Sequence, residues 1–236
     1  FGAMGTNAIV CGAVPFATGF AFADKHCDTD AVSVTYFGDG AANIGSALEA
    51  MNLAAAWQLP ICFFIENNQY AVSTSVAEAT GEHRLSGRGP GFGIPSWRVD
   101  GMDVAAVKVA MEQAVAHMRA GNGPTVIEAN TYRYFHQNGP VPGSAFGYRS
   151  KDEEQGWRDR DPIAQVEAHL VRRAIMTEDE VKELRKTAKK IMSGLTGRVL
   201  EPDPEGKAGQ RRIRPELWPD PDFVDVGLRG DTDAVV

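Results

Sequence analysis

The sequence predicts an α/β protein with a mostly parallel sheet, and three observations support this fold class. Residues 32–37 are β-branched or aromatic and stop at Gly38, as expected of a strand that ends in a tight turn. Residues 44–57 place apolar or small residues at three- and four-residue steps, which is typical of a helix packed on a sheet. Residues 61–65 form an uninterrupted apolar run, which indicates a strand covered on both faces, as parallel strands are.

Both predicted strands end in polar residues, Asp39 after the first and Asn67-Asn68 after the second. Because strand–helix–strand units are right-handed, the two turns should lie at the same sheet edge, where α/β sheets bind ligands. Carboxylate and amide oxygens suit Mg²⁺ or Ca²⁺, and the free N–H groups of Gly40 and Ala41 favour an anion. The pattern therefore predicts a divalent cation that bridges to a diphosphate. Either turn alone could equally be an ordinary loop, because such short motifs often match by chance.

The same periodicities indicate further elements, which are a helix over 14–24, a strand over 97–99, a helix over 104–119 and a strand over 125–129. Asp103 is a plausible N-cap for the helix that follows it. Residues 73–93 show no sustained period, so we expect a long loop there.

Two helices and a change of composition follow the predicted sheet. Asp161-Pro162 marks the start of one helix, because proline is tolerated in the first turn. Thr177 and Glu180 form a capping-box pattern at the start of the other. From Ser193 the chain is rich in Pro, Asp, Gly and Arg and loses its periodicity. We therefore expect an α/β domain over 1–192 and an irregular, extended arm or linker over 193–236.

The composition agrees with a globular domain of 236 residues, with 43% apolar and 23% charged residues. The net charge of −7 argues against a nucleic-acid surface, and no apolar run approaches the roughly 18 residues of a membrane span. Cys11, Cys27 and Cys62 are scattered without zinc-site spacing, which indicates structural thiols in a reducing cytoplasm. We expect a cytoplasmic protein without nucleic-acid or membrane partners.

Gly-Asp-Gly at 38–40 together with Asn-Asn at 67–68 resembles the metal–diphosphate motif of thiamine diphosphate (ThDP) enzymes. The chain is also similar to the α subunits of the decarboxylating component of 2-oxo acid dehydrogenase complexes, in the segments 38–43, 49–50, 52–55, 59–60, 66–75, 88–94 and 98–103. The pyruvate, acetoin and branched-chain enzymes belong to this family, and segment 88–94 most resembles the branched-chain type. The resemblance, over residues 5–192, implies the three-layer α/β/α fold of ThDP-binding proteins.

The resemblance also implies a set of site residues. The family's metal ligands match Asp39, Asn68 and the backbone carbonyl of Tyr70. Its cofactor contacts match, from the diphosphate to the aminopyrimidine ring, Gly38, Asp39, Gly40, Ala41, Asn68, Arg133, Ala8 and Val10. The ring contacts would be made by main-chain groups, and Ala8 stands where the family commonly has glycine.

A histidine of the family, which contacts diphosphate and substrate, has two candidate positions here. In the register where Arg133 matches, it falls on Gln137 and the family's phosphorylated serine falls on Asn138. A shift of one residue makes His136 the functional histidine and a cofactor contact. Both alternatives stay open, beside an ordinary turn with a solvent-facing histidine. Neither register provides the regulatory serine at this point.

The resemblance implies a ThDP- and Mg²⁺-dependent enzyme that decarboxylates a 2-oxo acid and passes the acyl group to a lipoyl group. Its partners would be a β subunit, in an α₂β₂ heterotetramer, and a lipoyl-bearing acyltransferase. Family members have further residues upstream, so we expect the N-terminal part of the family domain to be missing. Two alternatives remain: a transketolase-like two-carbon transferase subunit, and a non-catalytic subunit that binds ThDP for assembly.

Overall fold

The computed structural model of the protein describes residues 2–139 and 141–217. Its helices and strands are, in chain order, α1 Ala13–His26, β1 Ser33–Gly38, α2 Gly45–Ala56, β2 Ile61–Asn67, β3 Tyr70–Ala71, β4 Thr74–Ser75, α3 Val76–Ala79, α4 Arg88–Gly91, β5 Ser96–Asp100, α5 Val104–Arg119, β6 Thr125–Asn130, α6 Lys151–Arg158, α7 Pro162–Arg172, α8 Glu178–Val199, β7 Leu200–Pro202 and β8 Arg211–Ile213. Within these two ranges, none of the helices is long and apolar enough to cross a membrane.

A four-stranded parallel sheet in the order β1-β2-β6-β5 forms the centre of the first compact unit, which ends at Val166. The strands predicted from the sequence are all present in it. Strands β1 and β2 are neighbours, with Gly38 opposite Glu66 in the parallel register. Because the two strands are parallel, their carboxyl ends lie side by side.

Helices cover both faces of this sheet, which confirms the three-layer α/β/α fold. On one face, α1 and α2 pack against the sheet through Val14, Ala47 and Met51, which lie in one cluster with Phe63 and Ile65. On the other face, α5 contributes a second cluster, which consists of Ala110, Ala114, Met118, Cys62, Phe64, Ile127 and Ala129. Alternate residues of β2 thus enter opposite clusters, which explains its uninterrupted apolar sequence.

The prediction of a long loop over 73–93 is wrong. The segment contains the end of a small antiparallel hairpin, β3–β4, followed by α3, a 3-10 turn over Leu85–Gly87 and α4. Each of these elements is too short to show a period in the sequence. They are held by particular hydrogen bonds instead, such as the capping box in which Ser75 and Glu78 bond to each other's backbone N–H groups. Helix α6 was not predicted either.

The second compact unit begins at Glu167 and contains α8, whose predicted capping box between Thr177 and Glu180 is confirmed. The helix does not end at the predicted domain boundary after Met192 but continues to Val199. The start of the expected arm therefore continues α8, and strands β7 and β8 then pair antiparallel in a hairpin. Residues 218–236 of the predicted arm lie outside the described residues.

Candidate functional site

The turn after β1 and the turn after β2 lie against each other at one edge of the sheet. A Cβ atom on Gly40 would lie 2.7 Å from the Cβ of Ala71, so the first turn approaches the hairpin that follows the second turn closely. The Asp39 carboxyl also interacts with the backbone of Asn68 and with Arg133. The predicted proximity of the two polar turns is therefore confirmed.

Asp39 is a buried carboxyl group, with 4% of its surface exposed. Burial raises its pKa above the ordinary value, while backbone hydrogen bonds and the positive charge of Arg133 oppose this shift only in part. A cation at short range would stabilise the ionised form of a buried carboxyl group of this kind. No group of three or more His, Cys, Asp or Glu side chains in residues 2–139 and 141–217 could hold a metal. The donor set of one carboxylate and neutral oxygens fits Mg²⁺ that also takes phosphate oxygens.

Asn67 and Asn68 have different environments. Asn67 is 1% exposed; its Nδ2 donates to Glu128 Oε1 at 2.9 Å, and its Oδ1 accepts from the Gln69 N–H at 3.1 Å. Asn68 is half-buried, and its Oδ1 accepts the N–H of Tyr70 at 3.1 Å. An amide oxygen has two lone pairs, so Asn68 can still bind a cation. Asn67 supports the turn, and a metal contact of the Asn68 oxygen stays a prediction.

Tyr70, whose carbonyl is the third predicted metal ligand, is the first residue of the β3–β4 hairpin. Its hydroxyl donates to Glu153 Oε2 at 3.1 Å, and its ring meets that of Tyr148 edge to face, with the centroids 5.4 Å apart. The Tyr70 side chain is therefore held in place by contacts with α6 and with the segment before α6. These contacts fix the backbone on which the carbonyl lies.

Arg133 connects the hairpin to the loop that follows β6. Its Nη2 donates to the carbonyl of Val72 at 2.8 Å and to the Tyr148 hydroxyl at 3.4 Å, and its Nη1 reaches Gln137 Oε1 at 3.4 Å. Its Nε is buried without a hydrogen-bond partner. Val72 has a positive φ of 57°, which is unusual for a β-branched residue. A guanidinium with an uncommitted buried donor beside Asp39 fits an anionic ligand such as a diphosphate.

The loop after Arg133 brings both candidates for the family histidine close to the site. His136 packs against Phe146, with ring centroids 4.1 Å apart, and its Nδ1 accepts the N–H of Asn138 at 3.2 Å. A neutral ring in this position carries its proton on Nε2. Gln137 is exposed and contacts Arg133. Both alternatives from the sequence therefore stay open.

Ala8 and Val10 are exposed and lie in the turned segment before α1. The sulfur of Cys11, the next residue, accepts a hydrogen bond from Ser46 Oγ at 3.4 Å. This contact places the segment beside the first turn of α2, the helix that follows the Asp39 turn. A main-chain contact of Ala8 or Val10 with a cofactor ring stays a prediction.

Comparison with known proteins identifies the family. Residues 2–201 match the family model described as dehydrogenase E1 component. The chain belongs to the dehydrogenase E1 family. It is 46% identical over 202 residues to the pyruvate dehydrogenase E1 component subunit alpha of Rhizobium meliloti (strain 1021), covering 85% of this chain and 57% of that protein. The protein of the same name from Zymomonas mobilis is 42% identical over 179 residues, which cover 75% of this chain and 50% of that protein.

This E1-family chain therefore spans about half the length of the curated relatives that it matches. Among solved structures, it is similar to one described as a thiamin diphosphate-dependent enzyme isolated from Mycobacterium smegmatis. The TM-score is 0.44 at 24% identity, over 52% of this chain and 22% of that one.

Among the described residues of this E1-family chain, the buried charged residues Arg149, Glu128 and Glu154 escaped the sequence prediction. Arg149 is 5% exposed; its Nη2 lies 3.4 Å from the carbonyl oxygens of Tyr134 and Phe135, and its guanidinium lies 4.6 Å from the ring centroid of Tyr132. It holds the base of the loop that carries His136. Glu128, in β6, is fully buried. The available signal was an acidic residue within a predicted strand, since an acidic residue is almost never fully buried unless it is paired.

Proposed function

We propose that this chain is the α subunit of a ThDP-dependent 2-oxo acid dehydrogenase and that it binds the Mg²⁺–diphosphate end of the cofactor. The observation that carries the proposal is the convergence of the Asp39 carboxyl, the Asn68 turn and the Arg133 guanidinium at one sheet edge. The names of the similar proteins, pyruvate dehydrogenase E1 component subunit alpha, support pyruvate as the first substrate to test.

The proposed site has a metal side and a phosphate side. Asp39, Asn68 Oδ1 and the Tyr70 carbonyl would bind Mg²⁺. The N–H groups of Gly40 and Ala41, at the start of a 3-10 turn over Ala41–Asn43, would donate to the diphosphate together with Arg133. The buried Nε of Arg133 and the buried Asp39 carboxyl support this division, because each gains from a charged partner.

ThDP, when bound, supplies the electron sink for decarboxylation of a 2-oxo acid. This chain would bind and orient the diphosphate and neutralise its charge. The imidazole Nε2 of His136, or the Gln137 amide, would donate a hydrogen bond to the diphosphate or the substrate from the loop beside Arg133. The acyl group would then pass to the lipoyl group of an acyltransferase component.

A β subunit would complete the active site in an α₂β₂ assembly, and we propose a cytoplasmic location for this assembly. Exposed apolar side chains on α1 and at the end of α2 support a partner at this surface. Phe16 is 66% exposed and Trp57 48% exposed, and a groove of about 460 Å³ is lined by Phe22, Leu53 and Trp57 among others.

Calorimetric titration with ThDP in the presence and absence of Mg²⁺ tests the cofactor proposal. The full-length wild-type protein, purified with its β partner, should bind ThDP only with Mg²⁺, and Asp39→Ala should lose this binding while the circular dichroism spectrum stays unchanged. Asp179→Ala removes a carboxylate whose side chain is 92% exposed on α8, and it should bind like the wild type. Equal affinities of Asp39→Ala and the wild type would refute the proposed site.

An activity assay separates the proposed reaction from its two alternatives. The full-length protein that carries this sequence, purified with its β partner, should reduce an artificial electron acceptor with pyruvate or another 2-oxo acid. Turnover of a ketose phosphate instead would indicate a transketolase-like transferase. Tight Mg²⁺-dependent ThDP binding without turnover of either substrate class would indicate a subunit that binds ThDP for assembly.

A further inference from the structure

Glu128 in the central strand β6 is a fully buried carboxylate that belongs to none of the ligand sets above. Three segments converge on it. Its Oε1 accepts from Asn67 Nδ2 at 2.9 Å, its Oε2 accepts from the N–H of Ser86 at 2.8 Å, and Arg98 Nε lies 3.5 Å from Oε1. A buried charge persists only when such partners compensate for the loss of water. Glu128 therefore joins the end of β2, the 3-10 turn over Leu85–Gly87 and the edge strand β5.

The contact with Asn67 determines the geometry of the following turn. Because Nδ2 of Asn67 donates to Glu128, its Oδ1 faces the next residues and accepts from both the N–H and the Nε2 of Gln69, at 3.1 and 3.2 Å. Gln69 is held there at a positive φ of 76°, which residues other than glycine adopt only at a cost in free energy. The N–H of Tyr70 then reaches Asn68 Oδ1.

We propose that Glu128 is a positioning residue: through Asn67 it fixes the turn that presents the Asn68 side chain and the Tyr70 carbonyl to the metal–diphosphate site. The link to a metal and a diphosphate rests on the function proposed above. The effect of Glu128 on the geometry of the turn is independent of that function. Glu128 acts from within the sheet and reaches the site only through its hydrogen bonds.

A reciprocal exchange of donor and acceptor tests this role. In Glu128→Gln, the new amide can accept from the Ser86 N–H, but it then sets an NH₂ group against the NH₂ of Asn67. In Asn67→Asp, a second buried carboxylate faces Glu128. In the double variant Asn67→Asp/Glu128→Gln, the amide introduced in β6 can donate to the carboxylate introduced at the end of β2, and that carboxylate can still accept from Gln69. Each single change should disturb the turn, and the double change should restore it.

Amide hydrogen exchange of Gln69 and Tyr70, measured by NMR without cofactor, gives a direct readout. Both single variants should lose about tenfold or more in protection at these two amides, because a buried hydrogen bond is broken in each. The double variant should recover most of that protection. Urea denaturation of the same samples separates this local effect from a change in global stability. Glu66→Gln is a matched control, because Glu66 is an exposed carboxylate at the end of β2.

Unchanged protection of Gln69 in Glu128→Gln would overturn the proposal, and so would a double variant as disturbed as the two single changes combined. ThDP titration with Mg²⁺ completes the test: the affinity should fall in both single variants and recover in the double variant. If the exchange cycle behaves as expected but the full-length wild-type protein, purified with its β partner, binds no ThDP, the positioning of the turn is supported and the proposed function is refuted.

Discussion

Asp39 illustrates how a binding residue can lower the stability of the protein that carries it. Its pKa is raised chiefly by burial, so the folded protein disfavours the ionised form that a metal would require. For a carboxyl group with a raised pKa, the folded state loses stability as the pH rises above the pKa of the unfolded chain. At neutral pH the ionised Asp39 side chain therefore opposes folding when no cation is bound.

Asp39→Asn should consequently have opposite effects on stability and on binding. Without metal, the variant should melt at a higher temperature than the wild type at neutral pH, by about 2–4 °C for each kcal/mol of relieved desolvation. Its Mg²⁺-dependent affinity for ThDP should be lost. Differential scanning calorimetry and ThDP titration measure the two effects. A lower melting temperature in the absence of metal would show that the ionised carboxylate stabilises the fold.

The cysteine residues give a second prediction at this scale. Burial raises the pKa of the Cys62 thiol to about 11, whereas Cys27 is exposed. At about pH 8, a disulfide reagent should therefore modify Cys27 rapidly in the folded protein and Cys62 only after unfolding, since the thiolate is the reactive form. The stability should also fall as the pH rises from 9 towards 11, because the unfolded thiol ionises first.

Reagent titration of the wild type against Cys27→Ser and Cys62→Ala measures the first effect, and urea denaturation at several pH values measures the second. Rapid labelling of Cys62 in the folded protein would contradict the buried position of β2. A pH dependence of stability that is the same in the wild type and in Cys62→Ala would show that this thiol does not contribute.

The ligand candidates could be predicted from the sequence, but the residues that support them could not. Asp39 and Asn68 follow strands whose composition is distinctive, so topology alone brings them together. Glu128 and Arg149 acquire their roles from partners far away in the chain, such as Ser86 and Tyr70. The local sequence pattern does not predict which distant residue will be the partner.

At the scale of elements, the close approach of the Asp39 turn to the β3–β4 hairpin determines which substitutions the site tolerates. Gly40→Ala would place a Cβ 2.7 Å from the Cβ of Ala71, and neither atom can move without its backbone. We expect a loss of about 1–3 kcal/mol in the free energy of unfolding, together with weaker ThDP binding. Urea denaturation and ThDP titration are the measurements.

Gly45→Ala is the matched control for this change. A Cβ at position 45, the first residue of α2, would meet no atom within 4 Å. This substitution should leave the stability unchanged or raise it by up to about 1 kcal/mol, because alanine restricts the unfolded chain. Equal stability of the Gly40→Ala and Gly45→Ala variants would contradict the close contact between the turn and the hairpin.

The elements that the sequence predicted well are those with a sustained period. Helix α5 was predicted with its observed bounds, and Asp103 caps it by accepting from the N–H groups of Ala105 and Ala106. The short elements between β3 and α4 were missed, because their hydrogen bonds run to residues such as Glu128. The end of α8 was missed because the boundary was set where the composition changes and the periodicity is lost, at Ser193, whereas the helix continues to Val199.

At the scale of the whole molecule, the proposed assembly predicts that the apolar surface of α1 contacts a partner. Phe16→Lys should weaken binding to the β subunit by about 2 kcal/mol or more, because it replaces an apolar contact of that interface with a charge. It should leave the melting temperature of the isolated chain unchanged, because the side chain is 66% exposed. Size-exclusion chromatography of mixed subunits measures the assembly.

Val109→Lys, on α5, is the control for this prediction, since Val109 is 51% exposed on the opposite side of the sheet from α1. The control should assemble like the wild type. Normal assembly of Phe16→Lys would exclude the surface of α1 as the contact with the β subunit.

The sheet order β1-β2-β6-β5 sets the ends of β1 and β2 side by side, and every role proposed for the site depends on this arrangement. Electron paramagnetic resonance with Mn²⁺ in place of Mg²⁺ tests it most directly. In the presence of ThDP, the wild type should bind one Mn²⁺ tightly, and Asp39→Ala and Asn68→Ala should each lose that site, whereas Asn122→Ala, at an exposed position after α5, should keep it. Tight Mn²⁺ binding that survives both Asp39→Ala and Asn68→Ala would contradict a single metal–diphosphate site shared by the two turns.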